Sequence, residues 1–312
     1  MDGRRADAVR PDGGGEMNDF SAAYEEFQEA IRRGVQRKKM ERLVRPLEIA
    51  MRRAFRAQGN KVVQKMNQAR RFFAEGERNA EGASQDGSRA DAIRPNDAPL
   101  REGLPPGEAE KVWAQTHLET SKYFIGPIEA TVEKALKLGG MAMLGEMGMK
   151  VAFDLKNPRA VNYLRDYGAK MVTKINETTR ETLQTLIAQG TDEGWSYKRM
   201  ASEIISRFEE FAVGKPQEHI DSRAHLIAIT ETGTAYEQGN RITAQDLQDA
   251  GIEQEKFWST VGDDKVSDGC RENEEAGWIG IDEEFPSGDQ NPPRFPGCRC
   301  LTLYRMKEEK GD

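Results

Sequence analysis

The stretch AVNYLRDYGAKMVTKINETTRETLQTLIAQ, residues 160–189, gives the clearest indication of the fold. Its apolar side chains recur at steps of three and four residues, which is the period of one face of an α-helix. The polar turn Gly190–Gly194 follows, and Ser196 is placed to cap a second helix through Phe208. Two helices joined by so short a turn are expected to lie antiparallel and to bury their apolar faces against each other. The apolar face of the first comprises Val161, Leu164, Tyr167, Val172, Ile175, Thr179, Leu183 and Leu186.

The same periodicity predicts helices over most of the chain before residue 216. Residues 17–75 form a basic helical region, in which Gly59-Asn60 is expected to end one helix before another begins at Lys61. Residues 108–215 form a second helical region that contains the antiparallel hairpin, and Asn157-Pro158 marks the start of its first helix.

Three further segments are predicted to lack regular structure. Residues 1–16 are charged and Gly-rich, which is typical of a disordered tail, and residues 307–312 form a second tail. Residues 76–107 are rich in Gly, Ser, Asn, Asp and Pro, which indicates a linker.

The pattern changes in the C-terminal part of the chain. A helix is predicted over Ser222–Arg241, and short β-like runs follow at Lys256–Val261 and Leu301–Tyr304. An irregular acidic stretch, Asp263–Pro296, separates them. The sequence therefore predicts a mostly α protein in which a helical hairpin leads into a small α+β domain over residues 216–306.

Composition and charge restrict the class of protein. The 312 residues are 32% charged and 37% hydrophobic with a net charge of −7, which excludes a membrane protein and a fully disordered chain. Residues 17–83 hold 15 Lys and Arg against 9 Asp and Glu, whereas residues 216–312 hold 10 against 21. This asymmetry indicates either two surfaces with different partners or simply two solvated domains. Three cysteines give no disulfide framework, so a reducing cytoplasm is expected.

The basic residues between positions 32 and 71 are candidates for contact with double-stranded DNA. Clustered Lys and Arg side chains neutralise phosphates, and the resulting affinity falls steeply with salt. The same pattern also fits a charged outer face on packed helices, or docking to an acidic protein. The best candidates are Arg32, Arg33, Lys38, Lys39, Arg52 and Arg53.

The three cysteines are the candidate metal ligands. Side chains of a strand repeat with a period of two, so Cys298-x-Cys300 places two thiols on one face, where Cys270 is able to join them. Structural zinc takes four N or S ligands, and Asp268 or His225 are candidates for the fourth. Buried free thiols, or a disulfide from Cys270, are the alternatives. No other cofactor is predicted.

A series of residues in the last third of the chain resembles the phage Mu F-like minor head proteins, the phage head-morphogenesis family. The resemblance extends over about Asn157–Tyr304. It departs from the family at Ser267 and Phe295, where some relatives carry further Cys or His ligands. The matching residues, which precede the terminal Cys298-Arg299-Cys300, are Arg223, Thr230, Glu231, Gly239, Trp258, Asp263, Gly277 and Phe285.

This resemblance implies a non-enzymatic structural protein of a tailed bacteriophage. It implies a component of the virion head, assembled in the host cytoplasm, that associates with the portal and other head proteins. It also implies a part in head assembly, DNA packaging or DNA ejection. The acidic C-terminal domain is expected to dock on the portal while the basic helices reach toward DNA or scaffold. No membrane partner is expected.

Two other classes of function remain as alternatives. Arg223 and Glu231 lie eight residues apart on one helix, a loose pairing that a nuclease or ADP-ribosyltransferase groove would use. The opposing interpretation is that Glu231 fastens the following loop through buried hydrogen bonds. No nucleotide-binding or hydrolase motif is present, so no catalytic residue is predicted. A DNA-binding accessory factor is the other alternative.

Overall fold

The computed structural model describes residues 14–83, 108–195, 197–213 and 222–307. The described residues leave out positions 1–13 of the predicted tail over 1–16, positions 84–107 of the predicted linker, the cap at Ser196, and residues 214–221 and 308–312.

The described part of the chain forms seven helices and a three-stranded sheet. This confirms the predicted class, a mostly α protein with a small α+β domain at its C-terminal end. None of the described helices is long and apolar enough to cross a membrane. The helices before the sheet are α1 (Gly14–Ala83), α2 (Glu108–Thr120), α3 (Lys122–Glu146), α4 (Pro158–Asp192), α5 (Tyr197–Val213) and α6 (Arg223–Asp249). The remaining elements are β1 (Gln254–Ser259), α7 (Asp268–Glu275), β2 (Trp278–Gly280) and β3 (Leu301–Met306).

Helix α1 corrects the prediction of a break at Gly59-Asn60, because it continues through both residues to Ala83. A Cβ atom on Gly59 would lie only 2.7 Å from Cβ of Phe208 in α5. The glycine therefore permits close packing between two helices and does not end one of them. The helix also passes through Pro46 and begins at Gly14, inside the predicted tail.

The C-terminal sheet has the order β2-β1-β3 and is antiparallel throughout. Strands β1 and β3 correspond to the two predicted β-like runs. The stretch Asp263–Pro296, predicted to be irregular, contains helix α7 and strand β2, so that prediction is wrong for these two elements. Both are short, at eight and three residues, and too brief to show a periodic pattern.

Helix α6 lies at the centre of the molecule and packs closely on α3. A Cβ atom on Gly139 of α3 would lie 1.8 Å from the carbonyl oxygen of Tyr236, and one on Gly239 of α6 would lie 2.0 Å from that of Leu136. The backbones of α3 and α6 are in direct contact here because glycine has no side chain to separate them. The two helices are thereby held in one register.

Helix α1 packs into the same core as the C-terminal helices. Its buried residues Leu47, Met51 and Phe55 belong to a single apolar cluster with residues of α2 to α6. Helix α5 packs chiefly against α1 and less extensively against its hairpin neighbour α4. The basic N-terminal helix therefore contributes one face to the core and presents the opposite face to solvent.

Candidate functional site

The three cysteines meet in the C-terminal domain. Their Sγ atoms all lie within 4.8 Å of one another, and all three side chains are buried. Cys270 comes from α7, whereas Cys298 and Cys300 lie in the segment just before β3. The expected meeting of the thiols is present, but the expected position on a strand is wrong because β3 begins only at Leu301.

The thiols share hydrogen bonds that separate their pKa values. Hydrogen bonds with Cys298 and Cys300 lower the pKa of Cys270, and the nearby Arg294 acts in the same direction. The hydrogen bond with Cys270 raises the pKa values of Cys298 and Cys300. All three cysteines are free of disulfides.

The donor set fits three positions of a tetrahedral zinc site. Thiolates are the ligands that zinc prefers, and three sulfurs at this separation occupy one face of a tetrahedron. Neither proposed fourth ligand joins them. The Asp268 side chain is 92% exposed and pairs with Arg271, and Nδ1 of His225 lies 3.1 Å from Oε2 of Glu48. Within the described residues, no other His, Cys, Asp or Glu completes the group.

Two contacts fix the segment that carries the Cys-x-Cys pair. The backbone N–H of Gly297 donates to Oγ1 of Thr230 in α6 at 3.0 Å. The guanidinium of Arg299 donates to both carboxylate oxygens of Asp263, at 2.8 and 2.9 Å. Such a bidentate pair fixes both distance and orientation.

Aromatic packing closes the domain around the thiols. Trp258 and Phe285 meet edge to face with ring centroids 5.2 Å apart, and both belong to the apolar cluster that includes the cysteines. Gly277 adopts a φ of 71°, which supplies the turn between α7 and β2.

Arg223, at the start of α6, fastens this helix to α1, α4 and α5. Its guanidinium donates to the carbonyl oxygen of Ile175 at 3.1 Å and lies 4.6 Å from the ring centroid of Phe211 and 5.2 Å from that of Phe55. Burial lowers the pKa of Arg223 to about 10. Its partners are therefore a backbone oxygen and two aromatic rings, as in an internal anchor.

Glu231 also bonds to α4, through a different residue of that helix. It is fully buried and accepts a hydrogen bond from the hydroxyl of Tyr167 in α4. Arg223 and Glu231 thus contact separate groups, a backbone oxygen and two aromatic rings for Arg223 and the Tyr167 hydroxyl for Glu231. This contact of Glu231 fastens α4, whereas the neighbouring Thr230 holds Gly297 in the segment before β3.

The residues singled out by the resemblance thus act as one internal framework. Thr230, Glu231 and Gly239 on α6 bind the cysteine segment, α4 and α3 in turn. Residues 181–303 match the family model of phage Mu protein F like proteins. No curated protein and no solved structure matches the chain. The match confirms the predicted resemblance over a Mu F-like segment that begins within α4 and ends in β3.

The six predicted DNA-contacting residues lie on α1, outside the Mu F-like segment. Lys38, Lys39 and Arg53 are exposed. Arg33 lies 3.8 Å from Glu274, and Arg52 pairs with Glu48, so these two also serve internal contacts. The side chain of Arg32 lies outside the described ones.

The sequence pattern does not distinguish two buried polar residues of the Mu F-like segment. Glu237 in α6 is fully buried and accepts a hydrogen bond from the backbone N–H of Thr302 at 3.1 Å. Lys256 in β1 is 2% exposed. Neither belongs to a recognisable motif, and only their burial, which depends on residues distant in sequence, distinguishes them.

Proposed function

We propose that the protein is a structural head-morphogenesis protein of a tailed bacteriophage and a component of the phage head. The observation that carries this proposal is the match of residues 181–303 to the phage Mu protein F like family. The fold agrees with a scaffold because the residues of the family pattern bind other parts of their own chain.

The internal use of the motif residues favours assembly over catalysis. Arg223, Thr230 and Glu231 are the polar residues that an enzyme would present to a substrate, yet each is engaged in a contact between elements of the fold. A catalytic carboxylate must reach its substrate. Glu231 is fully buried under Tyr167, so its position supports a structural role.

The partner we propose for the C-terminal domain is the portal protein. Acidic side chains are exposed on α7 and on the turn after β2, including Asp268, Glu272, Glu275 and Asp282. A surface of one charge steers a partner that carries the opposite charge. The domain would therefore dock on a basic face of the portal.

We further propose that the exposed face of α1 contacts the backbone of double-stranded DNA. Lys38, Arg42, Arg45 and Arg53 are all exposed, and their spacing places them on one side of the helix over about 22 Å. Within the described residues, none of the four forms an ion pair. Their charges are thus available for phosphates.

Co-expression with the portal protein of the same phage tests the assembly proposal. A tagged full-length chain should retain the portal through purification, and the complex should dissociate as the salt concentration rises. A variant with Asp268→Asn, Glu272→Gln and Glu275→Gln should retain less portal. If the wild-type chain and portal elute separately at low salt, the portal is not the partner.

A nuclease assay tests the rival class. The purified chain, incubated with plasmid DNA and Mg²⁺ or Mn²⁺, should leave the DNA intact. The structural role would be wrong if the wild-type chain cleaved the DNA and Glu231→Gln abolished the cleavage. The far-UV circular dichroism spectrum of the variant must match that of the wild type, so that loss of cleavage is not loss of the fold.

A further inference from the structure

A small cavity lies between helix α6, the sheet and the loop over residues 281–291. Its volume is about 150 Å³, far more than a single water requires. Lys256 of β1 and Tyr304 of β3 are cross-strand neighbours on its floor. Arg241 of α6 and Asp282, after β2, line its sides.

Lys256 places a buried positive charge at this cavity. Its side chain is almost fully buried, and Nζ donates to the backbone oxygen and to Oε1 of Gln290, both at 2.9 Å. An ammonium group has three donors, so one N–H remains beyond these two bonds, and the further contact of Nζ is the ring of Phe285, whose centroid lies 5.2 Å away. Among the described residues, no carboxylate forms an ion pair with Lys256, although buried lysines are usually paired.

Arg241 adds a second positive charge to the same cavity. Its side chain is exposed, and the described residues offer it neither a hydrogen bond nor an ion pair. Burial, followed by repulsion from Arg241, lowers the pKa of Lys256 to about 8. Three nearby carboxylates raise the pKa of Lys256, those of Asp282, Glu283 and Glu284. Oδ2 of Asp282 already accepts a hydrogen bond from Gln248 at 2.6 Å.

We propose that this cavity binds a small oxyanion, a phosphate or a carboxylate group, between Arg241 and Lys256. The guanidinium presents paired donors that match two oxygens of such a group, and Lys256 supplies a further N–H from below. A bound anion would neutralise the two cations that line the cavity. The proposal does not depend on the proposed function in head assembly.

Titration of the full-length chain with inorganic phosphate, followed by amide nuclear magnetic resonance at constant ionic strength, tests this proposal. Resonances of residues around the cavity, including Gln245, Gln290 and Asn291, should shift and saturate. A parallel titration with acetate identifies the anion class, because the preferred anion saturates the shifts at the lower concentration.

Two exposed arginines provide a matched pair of variants. Arg241→Gln should weaken anion binding at least tenfold, whereas Arg165→Gln, on α4 and away from the cavity, should leave it unchanged. Both variants should keep the wild-type circular dichroism spectrum, since both positions are exposed. The proposal is overturned if neither anion gives a saturating shift, or if Arg241→Gln binds as tightly as the wild type.

Discussion

Oε1 of Glu237 accepts the backbone N–H of Thr302 at 3.1 Å, so that a buried carboxyl group of α6 covers one edge of β3. Two residues further along the strand, Oε2 of Glu146 in α3 accepts the N–H of Tyr304 at 2.9 Å. The opposite edge of β3 pairs with β1. Two acidic side chains therefore satisfy backbone donors that another strand would otherwise bind, which protects the edge from pairing with a second chain.

Glu237 should make the stability of the fold depend on pH. Burial raises the pKa of Glu237 from its ordinary value of 4.5 to about 8. The folded chain therefore holds this proton after the unfolded chain has released it. The stabilisation is complete below about pH 4.5 and is lost progressively as the pH rises to the folded pKa of about 8. We expect Glu237→Gln to raise the melting temperature at pH 8 by several degrees, of the order of 2–4 °C per kcal/mol.

Thermal melts between pH 5 and pH 9 measure this effect. Glutamine keeps an oxygen that accepts the Thr302 N–H but has no proton to release, so the Glu237→Gln curve should be flatter than that of the wild type. The exposed Glu275→Gln provides the control and should follow the wild type. Superimposable pH profiles for wild type and Glu237→Gln would show that Glu237 ionises normally.

The contact between α3 and α6 predicts opposite effects for two glycines of the same helix. Gly239→Ala would place a Cβ 2.0 Å from the carbonyl oxygen of Leu136, so the backbones must separate. We expect a loss of about 3 kcal/mol or more in the free energy of unfolding, at the upper end of the range for overpacking. Gly233→Ala meets only Cε of Met40 at 3.9 Å and should be neutral or stabilising by up to about 1 kcal/mol. Urea denaturation measures the free energy of unfolding of both variants. Equal values for Gly239→Ala and Gly233→Ala would contradict this packing.

We propose that the thiol cluster binds zinc through its three cysteines, with the fourth coordination position taken by a ligand other than Asp268 or His225. The chain purified from zinc-supplemented medium should contain about one zinc per molecule by plasma mass spectrometry, and a chelator should lower its melting temperature. Cys298→Ser should lose the metal because it removes one of three sulfur ligands. Asp268→Asn should retain it, since that side chain points into solvent. If the purified protein contains no zinc and the chelator leaves its melting temperature unchanged, the cluster consists of buried free thiols.

The exposed face of α1, which carries Lys38, Arg42, Arg45 and Arg53, should bind duplex DNA with an affinity that falls steeply as salt rises. Each phosphate contact contributes about 0.9 to the slope of log K against log salt, so a variant with Lys38→Gln, Arg42→Gln and Arg45→Gln should lose between two and three units of slope. Lys61 and Lys65 pair with Glu119, and their glutamine variants serve as the control. Fluorescence anisotropy with a labelled duplex, repeated at several salt concentrations, measures the slope for the triple variant and for the control. Equal slopes for the triple variant and the wild type would remove DNA as the partner of this face.

The class of fold was predictable because long helices repeat their pattern many times. Residues 160–189 alone define most of α4, and Pro158 marks its start. The local sequence at Gly59 predicts a helix end, but the role of this glycine depends on Phe208, about 150 residues away in the chain. Local sequence does not record such a contact.

In the candidate site, too, local motifs were predictable from the sequence and long-range contacts were not. The ordered motif singles out Thr230, Glu231 and the cysteines, and the thiols do converge, although Cys298 and Cys300 precede β3 and do not lie on it. Their partners were not predictable, since Tyr167 reaches Glu231 across 64 residues and Gly297 reaches Thr230 across 67. Glu237 carries no pattern at all, because an acid at a helix position becomes unusual only once the surrounding helices bury it.

Mass spectrometry of purified procapsids and mature particles of the encoding phage addresses the role in the head most directly. The chain should be present in procapsids at a constant ratio to the portal and in far fewer copies than the coat protein. Its absence from procapsids and mature particles alike, while the chain accumulates free in the infected cell, would show that it takes no part in building the head.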